Sequence, residues 1–377
     1  MNPRRRYIET ITFGTPDKVP FKPGNPREST LKAWHSQGLP ENLGQADWFG
    51  YLLETLGIQQ EQTQPEVKLG VNFEMIPQFE EKVIEHRNGH YIVQDWKGNI
   101  CEISDEFDIT YLRYAKDFVT RRWIKSPVEN RDDWEKMKLR YDVDAAGRFP
   151  DDFEQRCKKT ADRDYILEVY FSGPFWQMRE WCGFDGLCFM MIEQPELVAE
   201  MADFWSDFIA TMLGRVFEHV VPDVVAWSED MAYKAKAMIS PEMTRRFCLP
   251  SWRRWARRAF SAGCPIVDVD SDGFIGELIP LWIESGVNVC DPIEVAAHND
   301  INEFRKLFGR RMAYKGGVDK RAMARGGQVI RDELKRIEPV LKDGGYIPGC
   351  DHGVPSDVSW PDYTDYAGLL ARMTGWL

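Results

Sequence analysis

The sequence predicts an α/β fold, a (β/α)8 TIM barrel preceded by an irregular N-terminal extension that contains a β-hairpin. Three observations point there. From residue 163 onward, short apolar runs alternate with helical stretches in six strand–helix units, and strands joined by crossover helices pair in parallel. None of these strands is followed by the GxGxxG turn that a doubly wound sheet, the competing architecture, most often uses. The loop after each later strand carries at least one ionisable residue, and those loops are where a barrel keeps its chemistry.

The extension and first barrel elements are expected over 1–160 and the main part of the barrel over 161–377, within one structural domain. A first strand is expected near Val19-Pro20-Phe21, with one more in the first half. The hairpin is read from Tyr91–Trp96 and Ile100–Ile103, apolar alternation on both sides of Lys97-Gly98-Asn99. Strands then follow at Tyr165–Phe171, Val221–Trp227, Pro265–Val269, Val287–Cys290, Met312–Lys315 and Tyr346–Pro348. Between them, Leu197, Met201, Phe204, Trp205, Phe208, Met212 and Val216 share one helical face. Ser240-Pro241 starts a helix with a serine cap and proline in the first turn. Further helices are expected at Phe274–Glu284, Ile301–Phe308, Val329–Leu341 and Tyr363–Met373.

The chain has 377 residues, 43% of them hydrophobic and 13% aromatic, enough for one large core or two ordinary ones. Lys and Arg number 48 against 60 Asp and Glu, a net charge of −12. Such acidity gives no general attraction to nucleic acid or anionic lipid. No stretch approaches the roughly 20 apolar residues of a membrane span, and Arg4-Arg5-Arg6 has no apolar run behind it to make a secretory signal. Eight scattered Cys without a CxxC pair suit a reducing compartment, and the cytoplasm is the expected location.

The strand-end loops hold the candidate chemistry. Asp268, Asp270 and Asp272 alternate at period two, so they share a face while the strand lasts. Crowded carboxylates repel unless a cation or hydrogen-bond donors sit among them. A capping role for Asp272-Gly273 stays open beside a metal role. Cys350 stands between Gly349 and Asp351, with His352 two residues on. A thiolate with carboxylates or an imidazole is a workable zinc set with an open position. Asp270, Asp272 and Cys350 are therefore the expected metal ligands. Glu229, Asp230 and His352 are the expected catalytic groups. Trp176, Trp227 and Tyr233 gather near the same rim and are expected to wall the substrate pocket, with Arg27 binding substrate.

Several segments resemble the uroporphyrinogen decarboxylase superfamily, which also holds zinc-dependent corrinoid methyltransferases. They are Arg4–Tyr7 through Thr15–Pro20, Asp270-Ser271-Asp272-Gly273 with Glu284-Ser285-Gly286, Lys315–Lys320, and Gly344–His352. The resemblance implies a (β/α)8 barrel. True decarboxylases carry an arginine-rich segment after the first strand that grips porphyrinogen carboxylates. Here Lys22–Thr30 holds Arg27 as its single arginine, poor neutralisation for so anionic a substrate. The methyltransferase branch binds zinc through a His-x-Cys pair and a later Cys. Those positions fall on Asp270, Asp272 and Cys350, a harder set that suits an oxygen-bearing substrate better than a thiol.

The resemblance thus implies a demethylating methyltransferase. It would move methyl from a small O- or N-methylated compound to a corrinoid on a partner protein, with zinc activating the leaving group. The DxHxxG corrinoid pattern is absent from the chain, so the corrinoid-binding protein would be separate. A homodimer is compatible with this expectation. Two other readings stay open: a decarboxylase or lyase acting on a small acid, and a non-catalytic barrel that binds a ligand.

Overall fold

The computed structural model describes residues 1–106, 111–114 and 121–377. Two sheets organise the chain. The first is antiparallel and four-stranded, in the order β1 (Lys82–Arg87), β2 (His90–Gln94), β3 (Ile100–Ser104) and β4 (Arg122–Lys125). The expected hairpin is its centre: Gln94 pairs with Ile100 and His90 with Ser104. Its turn is held by Asp95, whose Oδ1 accepts the backbone N–H groups of Lys97 and Asn99. Gly98 sits at φ +91°, where an added Cβ would lie 2.8 Å from the Phe79 ring.

The second sheet is the barrel wall: β5 (Glu168–Ser172), β6 (Val224–Ser228), β7 (Ile266–Asp270), β8 (Val289–Asp291), β9 (Ala313–Val318) and β10 (Tyr346–Cys350). Each pairs in parallel with its neighbours in sequence, the order that successive crossover helices produce. The expected six strand–helix units are present, with the boundaries moved by a few residues. The helix expected from Phe274 begins at Ile279 instead, because Pro280 favours a first helical turn and cannot lie further inside.

The two expected early strands appear as extended segments without a ladder. Residues 20–26 run beside β10 and its following loop. Cys350 N–H donates to Pro23 O at 3.1 Å, and Pro26 bridges Val354 in parallel. Pro20, Pro23 and Pro26 each lack a backbone N–H, so this segment cannot build a regular ladder. Residues 66–71 flank β5 on the other side, across a gap of about 370 Å³.

Alternation along the strands layers the barrel interior. Nearest the strand N-termini, Val224, Ala226, Ile266, Val289, Ala313 and Ile347 pack against Tyr7, Ile8 and Ile11, so the helix Pro3–Ile11 plugs that end. Charged side chains, Asp268, Asp291 and Lys315, lie above this apolar floor. The opposite strand faces carry Phe171, Trp227, Val269 and Tyr314 into the core shared with the helices. Among the described residues, no helix is long and apolar enough to cross a membrane.

Candidate active site

The strands end their alternation with acidic residues aimed at one mouth. Ser228 pairs with Asp270 and Asp270 with Asp291, which sets the C-terminal ends of β6, β7 and β8 level. Two residues past Ser228, Asp230 returns to the inward side. Its Oδ1 accepts the backbone N–H of Asp272 at 3.0 Å, and Asp272 lies two residues past Asp270. Each of Asp230, Asp270 and Asp272 offers a carboxylate oxygen within 4.8 Å of the others.

Each carboxylate is held by a donor at one oxygen. Tyr170 O–H donates to Asp270 Oδ2 at 3.1 Å, the Asp272 amide to Asp230 Oδ1, and His352 Nε2 lies 3.1 Å from Asp272 Oδ2. Among the described residues the second oxygen of each has no hydrogen-bond partner. Outer donors that fix a carboxylate and leave its other oxygen open are the usual support of a metal ligand. The three charges also work against one another. Burial, then Asp230 and Asp272, push the Asp270 carboxyl up to about 7, and burial raises Asp230 as well. A cation placed among them would relieve both costs.

The imidazole of His352 has a defined tautomer. Its Nδ1 lies 2.7 Å from the Gly353 backbone N–H and 3.2 Å from Arg27 Nη2. Both of these groups donate, so Nδ1 accepts and the proton sits on Nε2, facing Asp272. Arg27 thus meets the site through His352. Arg179 closes another side. Its guanidinium donates to Asp230 O at 2.9 Å and lies 4.3 Å from the centre of the Trp176 ring. Trp176 is half-buried. Tyr233 is 54% exposed and meets Phe184 edge-on.

Three expectations need correction. Cys350 is the last residue of β10, not part of a loop, and alternation turns it outward with Tyr346 into the hydrophobic core. Gly24 packs so close that a Cβ there would lie 2.5 Å from the Cys350 Cβ. Burial pushes the thiol up to about 12, which keeps it protonated and a poor ligand. It is not in the cluster that Asp270 and Asp272 form; Asp230 takes that place. Glu229 is fully buried and points away from the mouth. Its Oε1 accepts Phe175 N–H at 2.7 Å, and its Oε2 accepts Trp252 Nε1–H at 2.9 Å. It anchors the start of the helix Pro174–Cys182 and cannot touch a substrate. Trp227 lies on the outer face of β6, against Phe171 and Trp255, and lines no pocket at the mouth.

Tyr170 and Arg179 were not expected at the site. The run containing Tyr170 reads as a buried strand, yet Glu168 and Tyr170 alternate with Val169 and Phe171 and face inward. That polar–apolar alternation was the available signal. Arg179 sits inside a helix with no distinguishing neighbour. Asp268, lower on β7, is occupied by Lys315, whose Nζ lies 2.5 Å from it and 3.1 Å from Asp291.

The donor set fits a divalent cation held by oxygens, with His352 close by, and does not fit a thiolate zinc centre. Comparisons with known proteins agree with the architecture. A methyltransferase from Methanosarcina mazei superposes over 100% of both chains with a TM-score of 0.56 at 12% identity. At that identity the likeness concerns the fold. No curated protein matches the sequence. The family model for uroporphyrinogen decarboxylase (URO-D) matches residues 119–362, well over half of the 377. The chain belongs to the uroporphyrinogen decarboxylase family.

Proposed function

We propose that this protein is a methyltransferase that removes methyl from a small O- or N-methylated compound and passes it to a corrinoid held by a partner protein. The observation that carries the reading is the convergence of Asp230, Asp270 and Asp272 at the barrel mouth, each with one oxygen held and one open. These three would hold a divalent cation, zinc or a harder ion. Such an ion, when bound, supplies Lewis acidity at the leaving oxygen or nitrogen.

The chain's own groups do the rest. Tyr170 fixes the Asp270 carboxylate by its O–H, and His352 fixes Asp272 through Nε2. Arg179 orients the Asp230 main chain. Trp176 and Tyr233 stand at the rim and exclude water from the apolar part of a substrate. His352 turns its Nε2–H toward Asp272 and the site, where it would hydrogen-bond the charge developing on the departing fragment.

A second reading draws on the crowding of Asp270 against Asp230 and Asp272: with burial it pushes the Asp270 carboxyl up to about 7, where it can hold a proton near neutral pH, as a lyase or decarboxylase acting on a small acid needs. The test is a panel of methoxylated and N-methylated small molecules incubated with free cob(I)alamin, followed by methylcobalamin absorbance, with and without a chelator. Methylcobalamin formation lost on chelation supports the proposal. Turnover untouched by chelation removes the cation from it. Release of CO2 from an acid with no methylcobalamin formed overturns methyl transfer in favour of the second reading.

A further inference from the structure

A cavity of about 820 Å³ opens between the segments 20–22 and 60–66 and reaches the barrel axis at Asp291 and Lys315. It exists because the first two barrel segments lack regular ladders and leave the wall parted. Its size suits a medium-sized organic ligand.

Most charges on its wall are already matched. Lys315 pairs with Asp268 and Asp291, and Arg6 with Asp17 and Glu61. Lys22, Glu66 and Glu168 are not. Each lines the cavity and is open to it, and among the described residues none has an ion-pair or hydrogen-bond partner for its side chain. Burial lowers the Lys22 pKa and raises that of Glu168, while both glutamates act on Lys22 through space in favour of its charge. Opposite charges face one open cleft without touching. That arrangement costs solvation and leaves a gap for a ligand carrying both signs. A simple anion would meet two carboxylates, and a simple cation would meet the ammonium. Beside them, the stacked rings of Phe21 and Phe49, 6.1 Å apart, and Trp376, 6.2 Å from Phe21, offer an apolar wall.

We propose that this cavity binds a zwitterion with an apolar body, its carboxylate on Lys22 and its ammonium against Glu168 and Glu66. Binding here requires neither the cation at the mouth nor methyl transfer, so failure at one site is distinguishable from failure at the other.

Three probes with a common phenyl body separate the charges: N-methylphenylalanine as zwitterion, N-methylphenethylamine as cation, and 3-phenylpropanoate as anion. Calorimetry on the full chain, with chelator present, should rank the zwitterion at least tenfold tighter than either relative. Lys22→Met should weaken the zwitterion and the anion tenfold or more and spare the amine. Glu168→Gln should weaken the zwitterion and the amine and spare the anion. Among the described residues neither side chain makes a hydrogen bond or ion pair, and melting curves check that both variants fold; Glu66→Gln serves as a second acidic variant. Any other ranking of the probes, variants with unchanged affinities, or no heat at millimolar probe overturns the proposal.

Discussion

His352 and Asp272 meet across 80 residues of sequence, Nε2 to Oδ2 at 3.1 Å, with the far ring nitrogen held by the Gly353 amide. Asp272 pulls the imidazole pKa up. Taking a second proton at Nδ1, however, means displacing both Gly353 and Arg27 from it. The neutral ring with its proton on Nε2 should therefore persist at neutral pH, which nitrogen NMR of the labelled imidazole will show. His352→Ala leaves Asp272 free to swing. Cation affinity should fall by about 10- to 100-fold, the usual loss when an outer partner of a ligand is removed. Calorimetry with a divalent metal salt measures it.

The pH dependence follows from Asp270. Unfolded, an aspartate titrates near 4; folded, this one titrates at about 7. Between those values the folded protein holds the extra proton, so Asp270 favours the folded state below about pH 4 and loses that contribution as pH rises through 7. Urea unfolding of the cation-free protein should show stability falling from pH 5 to pH 8, with the slope reduced in Asp270→Asn. Metal and proton compete for the same oxygen, so cation affinity should rise over the same window by up to roughly tenfold per pH unit.

Glu229 is expected to matter for folding and not for turnover. Both its oxygens accept from buried donors, and burial pushes its carboxyl up to about 8. Above about pH 8, where the carboxyl is ionised, Glu229→Gln turns an amide N–H toward one of those donors and should cost about 1–3 kcal/mol. Denaturant unfolding reads this loss. Cation stoichiometry of the folded protein should be unchanged; a lost metal site in a fully folded variant would restore Glu229 to the chemistry.

Cys350 makes the complementary case. With Cys350 buried in the core cluster and near enough to Tyr363 and Tyr366 to act on them electrostatically, Cys350→Ala should leave metal content as in the wild type and lower stability by a kcal/mol or so. Gly24→Ala should destabilise more, because Gly24 sits at φ +112° with Cys350 Cβ 2.5 Å from the position of an added methyl. Elemental analysis and melting temperature separate the two effects.

The architecture was legible because the apolar runs of β5 to β10 are short, regularly spaced and separated by helical stretches. The position of Asp270 and Asp272 at the barrel mouth was legible because they end or directly follow the apolar run of β7. What failed was face assignment at strand ends. Side chains alternate every residue, so reading β10 as ending at Pro348 and not at Cys350 placed the thiol in a loop instead of the core. The same parity separates Glu229 from Asp230: adjacent and acidic, one is buried and the other lies at the mouth. The first two barrel segments were expected as strands, and their lack of a ladder has a different reason. In the first, Pro20, Pro23 and Pro26 remove donors a strand would need, and packing against β10 reveals its place; the second, residues 66–71, has no proline and shows its place only beside β5.

Tyr170 offers the most direct probe of the carboxylate cluster, because it touches Asp270 without being acidic itself. Its O–H stabilises the ionised form of Asp270, so it opposes the burial and the two neighbouring charges that push the carboxyl up. Tyr170→Phe removes that single donor and keeps the ring on the inner face of β5. Asp270 should then titrate above 7, and the pH at which cation affinity reaches half its maximum should move up by several tenths of a unit to about one unit, the scale of one hydrogen bond to a charged group. At pH 8.5, where Asp270 is ionised in both proteins, the affinities should converge to within a few-fold. Calorimetric titration of a divalent salt across pH 6 to 9 gives both quantities. A variant whose profile coincides with the wild type would mean that Asp270 does not hold the cation, and the cluster would lose its central ligand.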